Sequence, residues 1–143
     1  MTELKTIDYR ATKRKVISKV DRYEKSLLRV ETRKHPTITQ KYDVLMPSGG
    51  GGFNSKTENA GIYAAEGETE DLAYLYEFAD CVKRLRPELR EVFIRMYLSE
   101  QAHKDMMGSL NIGNSKLSNL KREATESFAI AMNCVVCEAI KVR

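Results

Sequence analysis

Ser115, Ser118, Asn119 and Arg122 recur at the three- and four-residue steps that place side chains on one helical face. Each carries a group suited to reading the edges of nucleic-acid bases: asparagine can bond adenine bidentately, arginine can bond guanine, and serine adapts to either. Asn114, Lys116 and Lys121 stand toward the edges of that face, and Lys104 lies one helix earlier, where donors and cations would meet phosphates. The same composition would also suit the solvated side of a helix in an ordinary bundle. Base reading is favoured by what lies behind the face. Leu117, Leu120 and Ala124 step three and four apart, and Met106, Met107 and Leu110 do the same just upstream, with Ile112 between the two sets. Asn111 tolerates the left-handed conformation a helix end needs, and Gly113 is a permitted though weak N-cap. The pattern predicts a helix-turn-helix over 101–125, whose second helix, 114–125, lies in the major groove of double-stranded DNA.

The elements that must hold this unit read as an all-α chain: a long N-terminal helix, a flexible glycine-rich connector, then a helical bundle containing the helix-turn-helix. The corresponding segments are 1–35, 36–66 and 67–143. Residues 1–9 read as a frayed polar lead-in. From Ala11 to Arg33 the residues Val16, Val20, Tyr23, Leu27 and Val30 alternate four and three apart, the seam of a two-helix or coiled-coil contact. Around that seam stand Lys13, Arg14, Lys15, Lys19 and Arg22, and three uses for them stay open: a solvated face, a homodimer contact, or an auxiliary arm on the DNA backbone. Pro36 ends the helix, and one short extended piece is expected between Thr37 and Leu45. Gly49 to Gly52 then give the backbone freedom that would let the N-terminal helix move relative to the rest. A short helical stretch is expected from Thr57 to Tyr63, a helix from Glu68 to Arg86, and another from Pro87 with Leu89, Val92, Phe93, Met96 and Tyr97 inward. Phe128, Ala131, Val135 and Ala139 continue the apolar stripe, so the last helix is expected to run well past Thr125, packing back on the bundle or on a second copy.

Composition narrows the function classes. The formal net charge of +4 fits a nucleic-acid partner without establishing one. Its distribution is more informative. Ten Lys/Arg lie between Arg10 and Lys34, whereas Thr57 to Asp80 holds seven acids and no base, which implies two surfaces with different jobs or two subunits that meet. Cys81, Cys134 and Cys137 suit reduced thiols in a cytoplasm. Cys134 and Cys137 read as small apolar helix residues, since the isolated His35 and His103 complete no zinc set; neither a metal nor a cofactor is expected. GGGFNSKT over 50–57 nearly matches a phosphate-binding loop, but Ser55 occupies the second required glycine, and a nucleotide hydrolase using Lys56 would need a parallel sheet that the pattern does not offer. No paired carboxylate or Ser/His constellation is apparent, so an enzyme is not expected. No apolar run reaches the roughly 18 residues of a membrane helix.

Leu85, Pro87, Arg90, Val92, Phe93, Tyr97 and Leu98, followed by LNIGNSKLSNLKREA, resemble the fourth region of sigma-70-type factors, a helix-turn-helix that reads promoter DNA. Across nearly the whole chain, the order of TKRKV, PTITQKYDVLMPS, KTENA, RLRPELREVF and LNIGNSKLSNLKREA is similar to the ArpU family of phage and prophage transcriptional regulators. That resemblance implies a DNA-binding activator of late or lytic phage genes, with promoter DNA as partner, RNA polymerase as a second candidate partner, and reading residues within Asn114 to Arg122. Gly113 departs from the serine N-cap usual in the family, and the four glycines are a further departure. The competing reading among binding proteins is a small terminase-like packaging protein, which would also carry a helix-turn-helix but would form a ring.

Overall fold

A computed structural model describes residues 4–39, 41–45 and 66–140. The chain is mostly helical. Its elements are β1 (Leu4–Ile7), α1 (Tyr9–Arg29), a short 3-10 turn (Thr32–Lys34), β2 (Thr37–Ile38), β3 (Val44–Leu45), α2 (Glu66–Lys83), α3 (Pro87–Phe93), α4 (His103–Leu110), α5 (Asn114–Ala131) and β4 (Cys137–Ile140). A π-helical turn over Ile94–Leu98 extends α3. The glycine run, the phosphate-loop-like segment with Lys56 and the stretch from Thr57 to Tyr63 lie outside the described residues.

Four helices meet at an aromatic centre. Phe78 of α2 stacks on Tyr23 of α1 at 4.1 Å between ring centroids, and Phe93 of α3 stacks on Phe128 of α5 at 4.4 Å. Phe78 and Phe128 join the two pairs at 5.0 Å. The α1 seam therefore closes on the chain's own helices: Val16, Val20, Tyr23 and Val30 are buried in the common core, and α1 packs on both α2 and α5. This corrects two expectations. The N-terminal helix is docked rather than free to move, and the seam offered for a coiled-coil homodimer is already filled from within.

A polar anchor reinforces that docking. Asp71, 8% exposed, accepts hydrogen bonds from the Ser26 hydroxyl at 2.9 Å and from Arg29 Nε at 2.8 Å. The Arg29 guanidinium holds the Asp71 carboxyl below the usual carboxylate range; burial pushes the other way and the Ser26 hydroxyl adds to the lowering. Part of the charge segregation seen along the chain is thus resolved inside the molecule, where basic α1 faces acidic α2.

Both ends of the chain depart from expectation. Residues Leu4–Ile7, read as a frayed lead-in, pair antiparallel with Cys137–Ile140, Leu4 opposite Ile140 and Ile7 opposite Cys137. The last helix stops at Ala131 instead of running toward Ala139: Asn133 adopts a left-handed φ of 58°, and the β-branched pair Val135 and Val136 leads into β4. Cys134 and Cys137 accordingly lie just past a turn and on a strand rather than on a helix. The same pairing fixes the start of α1. Asp8 caps it by accepting from the Ala11 N–H at 3.1 Å, and Thr12 exchanges hydrogen bonds with the Val136 backbone. The piece between Thr37 and Leu45 is a two-stranded hairpin, held to α3 by Arg90 on Asp43 at 3.0 Å and by Arg95 over the Tyr42 ring.

The α4–α5 connection is three residues long. Asn111 takes φ 54° and ψ 49°, and Ile112 donates its N–H back to the Met107 carbonyl at 3.2 Å. Gly113 lies at φ −78° with no side-chain cap, and a Cβ there would meet no atom within 4 Å.

The Asp71 anchor and the Asn111 turn can each be tested by substitution. Asp71→Ala leaves the buried Ser26 hydroxyl without its acceptor and is expected to cost about 2 kcal/mol in urea denaturation at neutral pH. Because the carboxyl is held low in the folded chain, its contribution is present at neutral pH and lost as pH falls through that lowered value; the stability gap between wild type and variant should therefore begin to narrow only below about pH 4 and keep narrowing on further acidification. In the turn, Asn111→Ala should destabilise by about 1 kcal/mol through its left-handed backbone, whereas Gly113→Ser should stabilise by roughly a few tenths.

Candidate nucleic-acid interface

The rotation of α5 is set by what it buries. Leu117, Ala124, Phe128 and Ala129 are at 0% exposure, and Thr125 is locked between the Tyr97 hydroxyl at 2.6 Å and the Lys121 carbonyl at 2.9 Å. Burial raises the Tyr97 hydroxyl to about 12, so it stays protonated and able to donate across the physiological range. With that side sealed, Ser115, Ser118, Asn119 and Arg122 face outward and are exposed, as are Asn114 and Lys116. Lys104 is exposed on α4.

These residues are not equivalent. Asn114 Oδ1 shares a hydrogen bond with His103 Nε2 at 2.7 Å, which ties the first residue of α4 to the first residue of α5. With Oδ1 so engaged, the Asn114 NH₂ group is left as a donor. His103, read from the sequence only as an isolated histidine, is thereby part of the site. Its sequence separation of eleven residues from Asn114 gives no periodic signal, because the contact spans a turn and joins two helices.

Arg122 is engaged rather than open. Its Nε donates to Glu126 at 3.0 Å, and its guanidinium lies 5.0 Å from the centroid of the Tyr9 ring at the start of α1. Lys121 is half-buried toward α1; burial first, and the charge of Lys13 second, make its ammonium easier to deprotonate than usual. The acids of α5 begin only at Glu123, which pairs with Arg86 at 2.6 Å, and continue with Glu126. Residues 114–122 thus hold no carboxylate, and the helix changes its electrostatic character near its middle. A polyanion would meet cations and no carboxylate along the first half, and carboxylates already paired with arginines along the second.

The five basic residues singled out on α1 are divided by the fold. Lys19 and Arg22 line a groove with Glu70, Glu77 and Tyr74, and Arg22 stacks 4.1 Å from the Tyr74 ring centroid. Arg14 and Lys15 are exposed. Lys13 is half-buried, and its charge contributes to the lowering at Lys121. Among the described residues no group of three or more His, Cys, Asp or Glu is placed to hold a metal ion, and no helix is long and apolar enough to cross a membrane.

No family model matches the chain, and no solved structure matches it. It is similar to an uncharacterized phage-related protein of Listeria innocua serovar 6a, with 28% identity over 134 residues that make up 94% of this chain and 95% of that protein.

Proposed function

We propose that this chain is a phage or prophage transcriptional regulator that binds double-stranded DNA sequence-specifically and performs no catalysis. In this reading α4, the Asn111 turn and α5 act as a helix-turn-helix, and the first half of α5 enters the major groove. The observation that carries it is the outward row Ser115, Ser118 and Asn119, backed by fully buried Leu117 and free of carboxylates until Glu123. Short polar side chains on a rigid helix, with lysines at its borders, are what base-edge and phosphate contacts require. The likeness to an uncharacterized phage-related protein supports a phage or prophage setting. The segment order, which resembles that of the ArpU family, favours activation of late or lytic genes and makes RNA polymerase a candidate partner.

The test begins with mapping the DNA that the chain protects across a phage genome, followed by titrations of the protected duplex. Asn119→Ala is expected to weaken cognate binding by about 1 to 3 kcal/mol while leaving a scrambled duplex nearly unaffected; Lys116→Ala should weaken both alike. A silent Asn119→Ala on the cognate site would refute the face assignment. Glu126→Gln removes a negative charge beside the groove and releases Arg122, so it should tighten binding to all duplexes several-fold at low salt and lose that advantage as salt rises. An unchanged or weaker affinity would show that the second half of α5 stays clear of DNA.

A further inference from the structure

We infer that Tyr9, the first residue of α1, and Glu126 brace Arg122 so that its two terminal amino groups read a guanine, which makes Tyr9 a positioning residue for base discrimination. The inference rests on the DNA reading above and deepens it: the N-terminal helix, outside the helix-turn-helix, takes part in choosing one base pair.

Arg122 follows Ser115 by seven residues and Ser118 by four, so it continues the outward row of α5, and its side chain is 57% exposed. An unrestrained arginine has many rotamers to give up when it binds a base. Two contacts from opposite ends of the chain restrict this one. Nε donates to Glu126 Oε1 at 3.0 Å, and the guanidinium carbon lies 5.0 Å from the Tyr9 ring centroid, within cation–π range. Tyr9 is itself held. Asp8 caps its helix through the Ala11 N–H and donates its own N–H to the Val136 carbonyl at 2.8 Å, and β1 pairs with β4 just before it.

The brace decides which donors remain. Nε is spent on Glu126, and among the described residues neither Nη1 nor Nη2 of Arg122 has an acceptor. Those two amino groups form the end-on pair of parallel donors that matches O6 and N7 of guanine, whereas adenine sets a donor where O6 would stand. Arg22 and Arg95 also lie over tyrosine rings but are placed otherwise: Arg22 lines a groove with Glu70 and Glu77, and the Arg95 side chain is 15% exposed and bonded to Glu91 and Gln101. Arg10 and Arg14 are exposed on the first turns of α1, yet no side-chain hydrogen bond, ion pair or ring contact among the described residues orients them. Such cations suit phosphates, which accept a mobile charge, rather than a base edge, which requires a fixed one.

The experiment titrates the full chain against the protected duplex and its complete set of single base-pair replacements. Wild type is expected to prefer G·C at one position by about 10- to 100-fold, and Arg122→Gln to abolish that preference there alone. Tyr9→Leu, which keeps an apolar side chain at the start of α1, should reduce the same preference about 2- to 5-fold and leave every other position as in wild type. Tyr9→Phe should retain the wild-type preference, because the ring and not the hydroxyl is the brace. Unchanged discrimination in Tyr9→Leu overturns the inference, as does a loss spread evenly over all positions, which would mark a structural role. If Arg122→Gln alters no position while Asn119→Ala still does, the inference fails and the DNA reading stands. A wild-type chain that binds no duplex overturns both.

Discussion

The arrangement depends on one packing contact, the stack of Phe93 on Phe128 with Phe78 wedged against both. Three fully buried rings on three helices leave little freedom to rotate α5 about its axis, since turning it by one residue would pull a ring out of the core. Burying side chains of this size is worth roughly 2 to 3 kcal/mol each. Everything on the opposite side of α5 is placed as a consequence. Ser115, Ser118 and Asn119 face solvent because Leu117, Ala124 and Phe128 cannot.

The N-terminal helix is the second brace, and its role differs from that of an independent arm. Tyr23 stacks on Phe78, Ser26 and Arg29 converge on Asp71, and the β1–β4 ladder ties its leading end to the far end of the chain. These contacts commit much of the basic character of α1 to internal partners.

Electrostatic zoning along α5 complements this. Its first half is neutral to basic and its second half carries Glu123 and Glu126, each tied to an arginine. A helix of uniform charge could slide along a polyanion, whereas a helix with an acidic second half favours one seating. At the border of the two zones, Arg122 is held between the Glu126 carboxylate and the Tyr9 ring.

Helical periodicity made much of this legible in the residues themselves. The inner stripes of α1, α2, α3 and α5 follow from apolar residues at three- and four-residue steps, and the Asn111 turn follows from a residue that tolerates positive φ; both are local properties. Contacts between residues far apart in the chain were not legible. The pairing of Leu4–Ile7 with Cys137–Ile140 converts an apparent fraying end and an apparent helix extension into strands, because each supplies the backbone partners the other lacks. The link of His103 to Asn114 and the capture of Arg122 by Tyr9 and Glu126 are of the same kind. Sequence alone determined which face of each helix is apolar, since that depends only on spacing. Tertiary structure alone decided which charges are spent inside the molecule and which are left to meet a partner, since that depends on which faces are pressed together.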